Sequence, residues 1–352
     1  MITELKEAME AHIQNNLECG CQLVIYKNGE LICDLAAGHL DASRKRKVDA
    51  RTLFPVFSAG KSVLTTLAHI CVEKGFLSYG DPVVKYWSEY RNGKEDTCFW
   101  HILTHRAAMW KLPDTFSIRE CYDYEKCCAA LEKAPLCGTL GGFHEYHAYT
   151  YGILLARLLE KATGRSLRNL LREFILDPLE IEDFYWGNPG MRPENRARIV
   201  PEKGKEDIAG NEFLAVNEDE VLFDGLNPSV NTAATAGSLA KIHAALVGKG
   251  YKNIRLLQDK TIENAIEIRR HSDYPVKAEE WDKFGLGYIV SGDAPPWNRF
   301  FGQAGACGAE GFADRVTGYA VGLTRNQQLP SDPDYPLRNA VSQILGIPCR
   351  VW

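Results

Sequence analysis

Strand-like runs crowd the two ends of this chain while helix-like runs fill the middle, which argues for one sheet formed by the two ends beside a helical insertion. Near the start, Gln22-Leu23-Val24-Ile25-Tyr26 and Leu31-Ile32-Cys33-Asp34-Leu35 flank Lys27-Asn28-Gly29-Glu30. Asn-Gly between β-rich runs is a strong two-residue hairpin signal. Near the end, Gly285 to Val290 reads as a strand, and Gly311 to Asp314 and Tyr319 to Thr324 read as a second hairpin. A helix over 2–16 precedes the first hairpin and another, Leu337 to Leu345, follows the last. The pattern predicts an α+β fold: a central antiparallel sheet built from the two chain ends, flanked by helices, with an inserted mainly helical subdomain. The 352 residues read as one unit, the sheet subdomain covering about 1–50 and 282–352 and the helical subdomain about 51–281.

Between the ends, helices are expected from about Ser58 to Lys74-Gly75, briefly after Asp81-Pro82, from Tyr146 to Thr163-Gly164, from Ser166 to Phe174, and from Ser238 to Leu246. Trp100 to His105 is a compact apolar segment, followed by irregular chain to about 140; residues 185–230 read as a surface excursion. The net charge of -5 and the shortness of the one basic cluster, Arg44-Lys45-Arg46-Lys47, give no footing for nucleic acid. No run of eighteen apolar residues suggests a membrane span, and Met1 to Lys6 has no signal-peptide core. The eleven cysteines are scattered as small core hydrophobes would be in a reduced compartment, which predicts a cytoplasmic protein. They lack C-x-x-C pairs, so neither a metal nor a cofactor is expected.

Chemistry concentrates at Phe57-Ser58-Ala59-Gly60-Lys61-Ser62, which leads into an apolar run to Val72. Positions i and i+3 share a helix face, so the Ser58 hydroxyl and the Lys61 ammonium can meet. A helix start adds free N–H groups and a positive dipole end, a workable setting for an activated nucleophile. The same serine is equally well placed to be a plain cap. Gly60-Lys61-Ser62 also ends like a P-loop, but its first glycine would be Pro55, which offers no N–H to a phosphate. A nucleophile elbow fails because residue 56 is Val56 rather than glycine.

Taken together with the downstream segments, the chain resembles the serine β-lactamase and penicillin-binding-protein-like family, most closely its class C-like and esterase branch. The resemblance runs through Phe54 to Lys61, Ile102-Leu103-Thr104-His105, Tyr146 to Gly152, Thr163 to Leu167, Asp177-Pro178-Leu179 and Phe301 to Gly308. It implies a β-lactamase/transpeptidase-like fold with three site motifs. Ser58 and Lys61 fill S-x-x-K as nucleophile and base partner. Tyr146 fills the first position of Y-x-N as the proton-shuttling phenol. Gln303-Ala304-Gly305 stands where K-T-G or H-x-G would edge the cleft. By the same resemblance, the backbone N–H groups of Ser58 and Ala306 form an oxyanion hole. A desolvated Lys61, or a Tyr146 acidified by a charged Lys61, would supply the base.

Two substrate-reading positions depart from the motifs. Ala148 stands where asparagine would contact an acyl-amide, and Gln303 replaces the cation that would pair with a substrate carboxylate. Both favour an ester or other uncharged small-molecule acyl substrate over a β-lactam or a D-amino-acid peptide. The expectation is a carboxylesterase-type serine hydrolase, with a β-lactamase or D-amino-acid peptidase, and an inactive ligand-binding or scaffold relative, as alternatives. Of the neighbours, His147 could be a second base, His105 is expected to bond backbone in the core, Trp110, Tyr149, Tyr151 and Trp297 could wall a pocket, and Cys307 is read as a small filler that could sense redox state. Acyl group, leaving group and oligomeric state are not written in the sequence.

Overall fold

The structure, a computed structural model, describes residues 1–142, 144–187, 193–202, 204, 214, 224–267, 284–291, 299–328 and 336–347. Its main sheet joins the chain ends as expected. Strands β1 (Gly20–Lys27) and β2 (Glu30–Gly38) form the first hairpin, with Asn28 and Gly29 both at positive φ (50° and 86°), the geometry that an Asn-Gly turn supplies at little strain. β1 also pairs antiparallel with the last strand, Tyr319–Arg325, in a register that sets Cys21 against Arg325 and Ile25 against Val321. The six strands run in the order β2-β1-β9-β8-β7-β6, where β6 is Ile289–Ser291, β7 Phe300–Ala304, β8 Glu310–Asp314 and β9 Tyr319–Arg325.

Each face of that sheet is covered. The outer face packs Cys21, Leu23, Ile25, Val321 and Leu323 against Leu5 and Met9 of helix α1 (Ile2–Gln14) and Leu337, Val341 and Leu345 of the closing helix, Pro336–Leu345. The inner face meets a larger core centred on α2 (Gly60–Glu73), in which every residue from Gly60 to Cys71 is buried. Buried on all sides, α2 is packed between the sheet and α5 (Thr150–Thr163), with its Thr65, Thr66 and His69 side chains hydrogen-bonded inside the core.

The middle of the chain holds more regular structure than its sequence advertises. The compact segment from Trp100 overlaps α3 (Phe99–Leu103), and the stretch expected to be irregular up to 140 contains α4 (Tyr124–Lys133), started by Asp123, whose side chain accepts from the Lys126 N–H. Within and beside the expected surface excursion, β4 (Phe184–Trp186) and β5 (Thr232–Ala234) join β3 (Phe54–Pro55) in a second, three-stranded sheet. Two- and three-residue strands are too short to show alternation, and their order comes from tertiary pairing. The helix expected from Tyr146 begins at Thr150, leaving Tyr146 to Tyr149 in non-helical chain. The helix after Ser166 covers Leu167–Leu171 and continues as a π-turn, Arg172–Leu176.

Candidate active site

Ser58 does not open an α-helix directly. It sits inside a one-turn 3-10 segment, Phe57–Ala59, that feeds α2. Phe57 takes a positive φ of 45°, a strained backbone state for a bulky residue. Val56 anchors the approach by donating its N–H to Thr232 O in β5 at 2.9 Å. The second sheet therefore fixes where the serine stands.

Three residues on, Lys61 lies fully buried. Its Nζ is 2.9 Å from Ser58 Oγ, 2.9 Å from Ala148 O and 2.8 Å from Ser229 O. No carboxylate is among those contacts, and burial holds the amine well below the usual lysine range. The Ser229 carbonyl is held close by Gly152, whose N–H donates to Ser229 Oγ at 2.6 Å; a Cβ on Gly152 would lie 2.4 Å from Ser229 N.

Tyr146 reaches the same serine from non-helical chain. Its ring lies 5.0 Å from Lys61 Nζ. Burial of the hydroxyl pushes its pKa up to about 12, although the Ser58 side chain is near enough to work toward lowering it, so the phenol rests protonated at neutral pH. Gln303 on β7 is buried and donates from Nε2 to Tyr146 Oη at 3.2 Å.

Beyond Ala304 the strand turns at Gly305. A Cβ there would fall 2.0 Å from Val56 O and 3.1 Å from Ala59 N, so only glycine lets this backbone lie against the serine turn. A short turn, Ala306–Gly308, follows, closed by Gly305 N–H to Ala309 O (2.7 Å) and Gly308 N–H to Gly305 O (3.0 Å). Among the described residues, neither the Ser58 N–H nor the Ala306 N–H donates to a backbone carbonyl.

Ser58, Lys61, Tyr146, Gln303, Ala304, Gly305 and Ala306 thus meet at one place. Ala148 joins them through its carbonyl, which holds Lys61. The remaining candidates have structural partners. His147 Nδ1 lies 2.6 Å from Glu145 O, and its Nε2 accepts from Met109 N–H. His105 brackets Tyr146: its carbonyl accepts from Glu145 N–H at 3.1 Å and its Nδ1 accepts from His147 N–H at 3.0 Å, while its ring lies against the phenol at 4.8 Å. Tyr151 is a core residue whose hydroxyl is 2.6 Å from Thr65 Oγ1, and Trp110 meets the edge of His147. Tyr149 packs against the small apolar cluster holding Phe57 and Cys307. Trp297 lies outside the described residues. Burial raises the Cys307 thiol to about 12, which leaves little thiolate for oxidation chemistry. Ser229 carried no signal in the sequence, since a backbone carbonyl acceptor is independent of side-chain type. Among the described residues, no group of three or more His, Cys, Asp or Glu is placed to hold a metal.

The family model described as Beta-lactamase matches residues 9–344. The chain is 28% identical over 345 residues to the esterase/beta-lactamase LipL of Mycobacterium tuberculosis (strain ATCC 25618 / H37Rv), covering 88% of this chain and 77% of LipL. It superposes on the crystal structure of a family VIII carboxylesterase with a TM-score of 0.85 and 22% identity, over 97% of this chain and 96% of the other. A penicillin-binding protein homolog from Caulobacter crescentus follows with a TM-score of 0.79 and 25% identity, over 93% and 92% of the two chains.

Proposed function

The chain belongs to the beta-lactamase family, and from that premise we propose that it is a serine hydrolase of carboxylesterase type working through an acyl-Ser58 intermediate. The contact set of Lys61 carries the reading. A neutral amine has two N–H donors and one lone pair. Two of its three partners, Ala148 O and Ser229 O, can only accept, and the third is a hydroxyl. Two donors on two carbonyls leave the lone pair for the Ser58 proton, and the buried, carboxylate-free surroundings favour that neutral form.

The other flank supports the same direction of proton flow. Gln303 Nε2 donates to Tyr146 Oη, which leaves the phenolic proton available for transfer beside Ser58 while the Ser58 proton goes to Lys61. Ser58 Oγ then attacks the ester carbonyl carbon as its proton moves to Lys61 Nζ. The tetrahedral oxyanion is received by the N–H groups of Ser58 and Ala306. Collapse releases the alcohol, which takes a proton relayed through Tyr146. Water, deprotonated by the same groups, cleaves the acyl-serine to the free acid and restores Ser58.

An uncharged acyl group is the substrate class that Gln303 and Ala304-Gly305 suit. The amide at 303 brings hydrogen bonds but no charge for a carboxylate, and Ala148 brings no side-chain amide. Among the described residues, no helix is long and apolar enough to cross a membrane. The free buried cysteines, Cys19, Cys21, Cys33, Cys71, Cys127, Cys128 and Cys307 among them, fit the reduced cytoplasm. Intact-mass spectrometry after mixing with p-nitrophenyl acetate, p-nitrophenyl butyrate and nitrocefin tests the assignment. The expected result is an acyl increment from the esters that disappears in Ser58→Ala. Equal labelling of wild type and Ser58→Ala, or faster turnover of nitrocefin than of either ester, would overturn it.

A further inference from the structure

Directly behind the turn that carries the Ala306 N–H lies a buried ion pair that none of the steps above uses. Arg325, at the end of β9, and Glu18, between α1 and β1, are each only 1% exposed, and Arg325 Nε lies 2.6 Å from Glu18 Oε1. Arg325 also donates from Nη1 to the Cys307 carbonyl at 3.1 Å. Cys307 is the middle residue of the 306–308 turn and sits at a φ of 63°, a left-handed state that costs a non-glycine residue about 1 kcal/mol or more. The tie to Arg325 helps hold it there, while Gly305, two residues earlier, lies against Val56 and Ala59. The register of β1 with β9 places Arg325 opposite Cys21, three residues after Glu18, so the brace spans the seam where the chain ends join.

We propose that Arg325, fixed by Glu18, is a positioning residue for the oxyanion turn: by holding the Cys307 carbonyl it keeps the 306–308 turn tilted so that the Ala306 N–H faces the Ser58 oxyanion. This rests on the acyl-Ser58 reading. It adds that transition-state stabilisation in this chain depends on a charge pair that never touches substrate. A buried pair of this kind is a poor source of net stability, since two charges must leave water; its retention in so dry a place is consistent with a geometric task.

The test separates positioning from folding by counting active sites. Burst amplitude with p-nitrophenyl acetate gives the fraction of competent enzyme, and kcat is then expressed per active site. For Arg325→Met the expected result is a fall in kcat per site of roughly ten- to a hundredfold with KM little changed, short of the full loss of a donor. Affinity for an alkyl trifluoromethyl ketone, which forms the oxyanion as an adduct, should fall by the same factor. Arg325→Lys, which keeps a cation for Glu18 and a donor for Cys307 O, should recover most of both losses. If Arg325→Met does not fold, Glu18→Leu/Arg325→Met removes both charges together and is read in the same way. Wild-type kcat per site and wild-type ketone affinity in the folded variant would overturn the inference. Failure of the underlying reading looks different: wild-type enzyme itself would give no Ser58-dependent burst.

Discussion

Lys61 and Gln303 approach Ser58 and Tyr146 from opposite sides, both buried, yet their hydrogen bonding differs in kind. Lys61 meets three oxygens, and all of its bonding capacity as a neutral amine is met inside the protein. Gln303 is engaged through Nε2, whereas its Oε1 is buried and has no partner among the described residues. An unmet buried acceptor costs about 1–3 kcal/mol, so the β7 side retains capacity that a substrate donor could satisfy. In the proposed reaction the serine–lysine side, closed in its bonding, would supply the chemistry, and the glutamine side, buried but open in its bonding, would select what reacts.

The sharpest way to break that contrast is on the closed side. Lys61→Met removes the base and orphans two carbonyls, and kcat for p-nitrophenyl butyrate should fall about 10³-fold in steady-state assays; a loss below tenfold would mean another group takes the Ser58 proton. Gly305→Ala comes next. Its Cβ would collide with the Val56 carbonyl, so the turn must retreat, and kcat/KM should fall by about 10² with secondary structure by circular dichroism preserved. The pH profile follows. Because Lys61 must be unprotonated to act in the proposed reaction and burial holds it well below the lysine range, kcat/KM should be level on the alkaline side of that depressed pKa and fall tenfold per pH unit on its acid side. Tyr146, raised to about 12, should give no inflection near neutrality, so Tyr146→Phe should lower the whole curve without moving the acid limb. The smallest effect on the ester reaction is expected on the open side. Gln303→Lys keeps a donor toward Tyr146 and adds a cation, so kcat for a neutral ester should change by no more than a few-fold. KM for an ester bearing a carboxylate should drop about tenfold, within the range of charge-assisted hydrogen bonds. No preference for the anionic ester would show that residue 303 does not read the substrate.

The closed side was the more legible of the two from sequence. Ser58 and Lys61 share a helix face with an apolar run behind them, a pattern that fits a plain cap equally well until the downstream segments are read with it, and the Asn28-Gly29 turn fixes the hairpin that starts the sheet. What escaped were features set by distant pairing. The second sheet consists of strands two or three residues long, and no periodicity exists at that length. Tyr146 looked like a helix start because Thr150 to Thr163 continues its apolar pattern, but the segment is tied to His105 by the amides of Glu145 and His147, and the Ala148 N–H turns back onto Tyr146 O at 2.9 Å instead of continuing a helix. α4 went unseen although Asp123 caps it, because its apolar positions are partly filled by Cys127 and Cys128, which carry weak helix preference. Arg325 and Glu18 sit at the two ends of the chain, and their pairing depends on strand register.

The seam between β1 and β9 has a consequence for how the protein is made. Gly20 N–H donates to Asn326 Oδ1 across 306 residues of sequence. At translation rates of about 5–20 residues per second, the first hairpin must wait on the order of 15–60 s for its neighbouring strand. During that interval β1, which is apolar on both faces, has an unpaired edge. Chains that stall before β9 should therefore be the ones that aggregate or are degraded, and a shortage of folding assistance should limit yield well before any loss of native stability does.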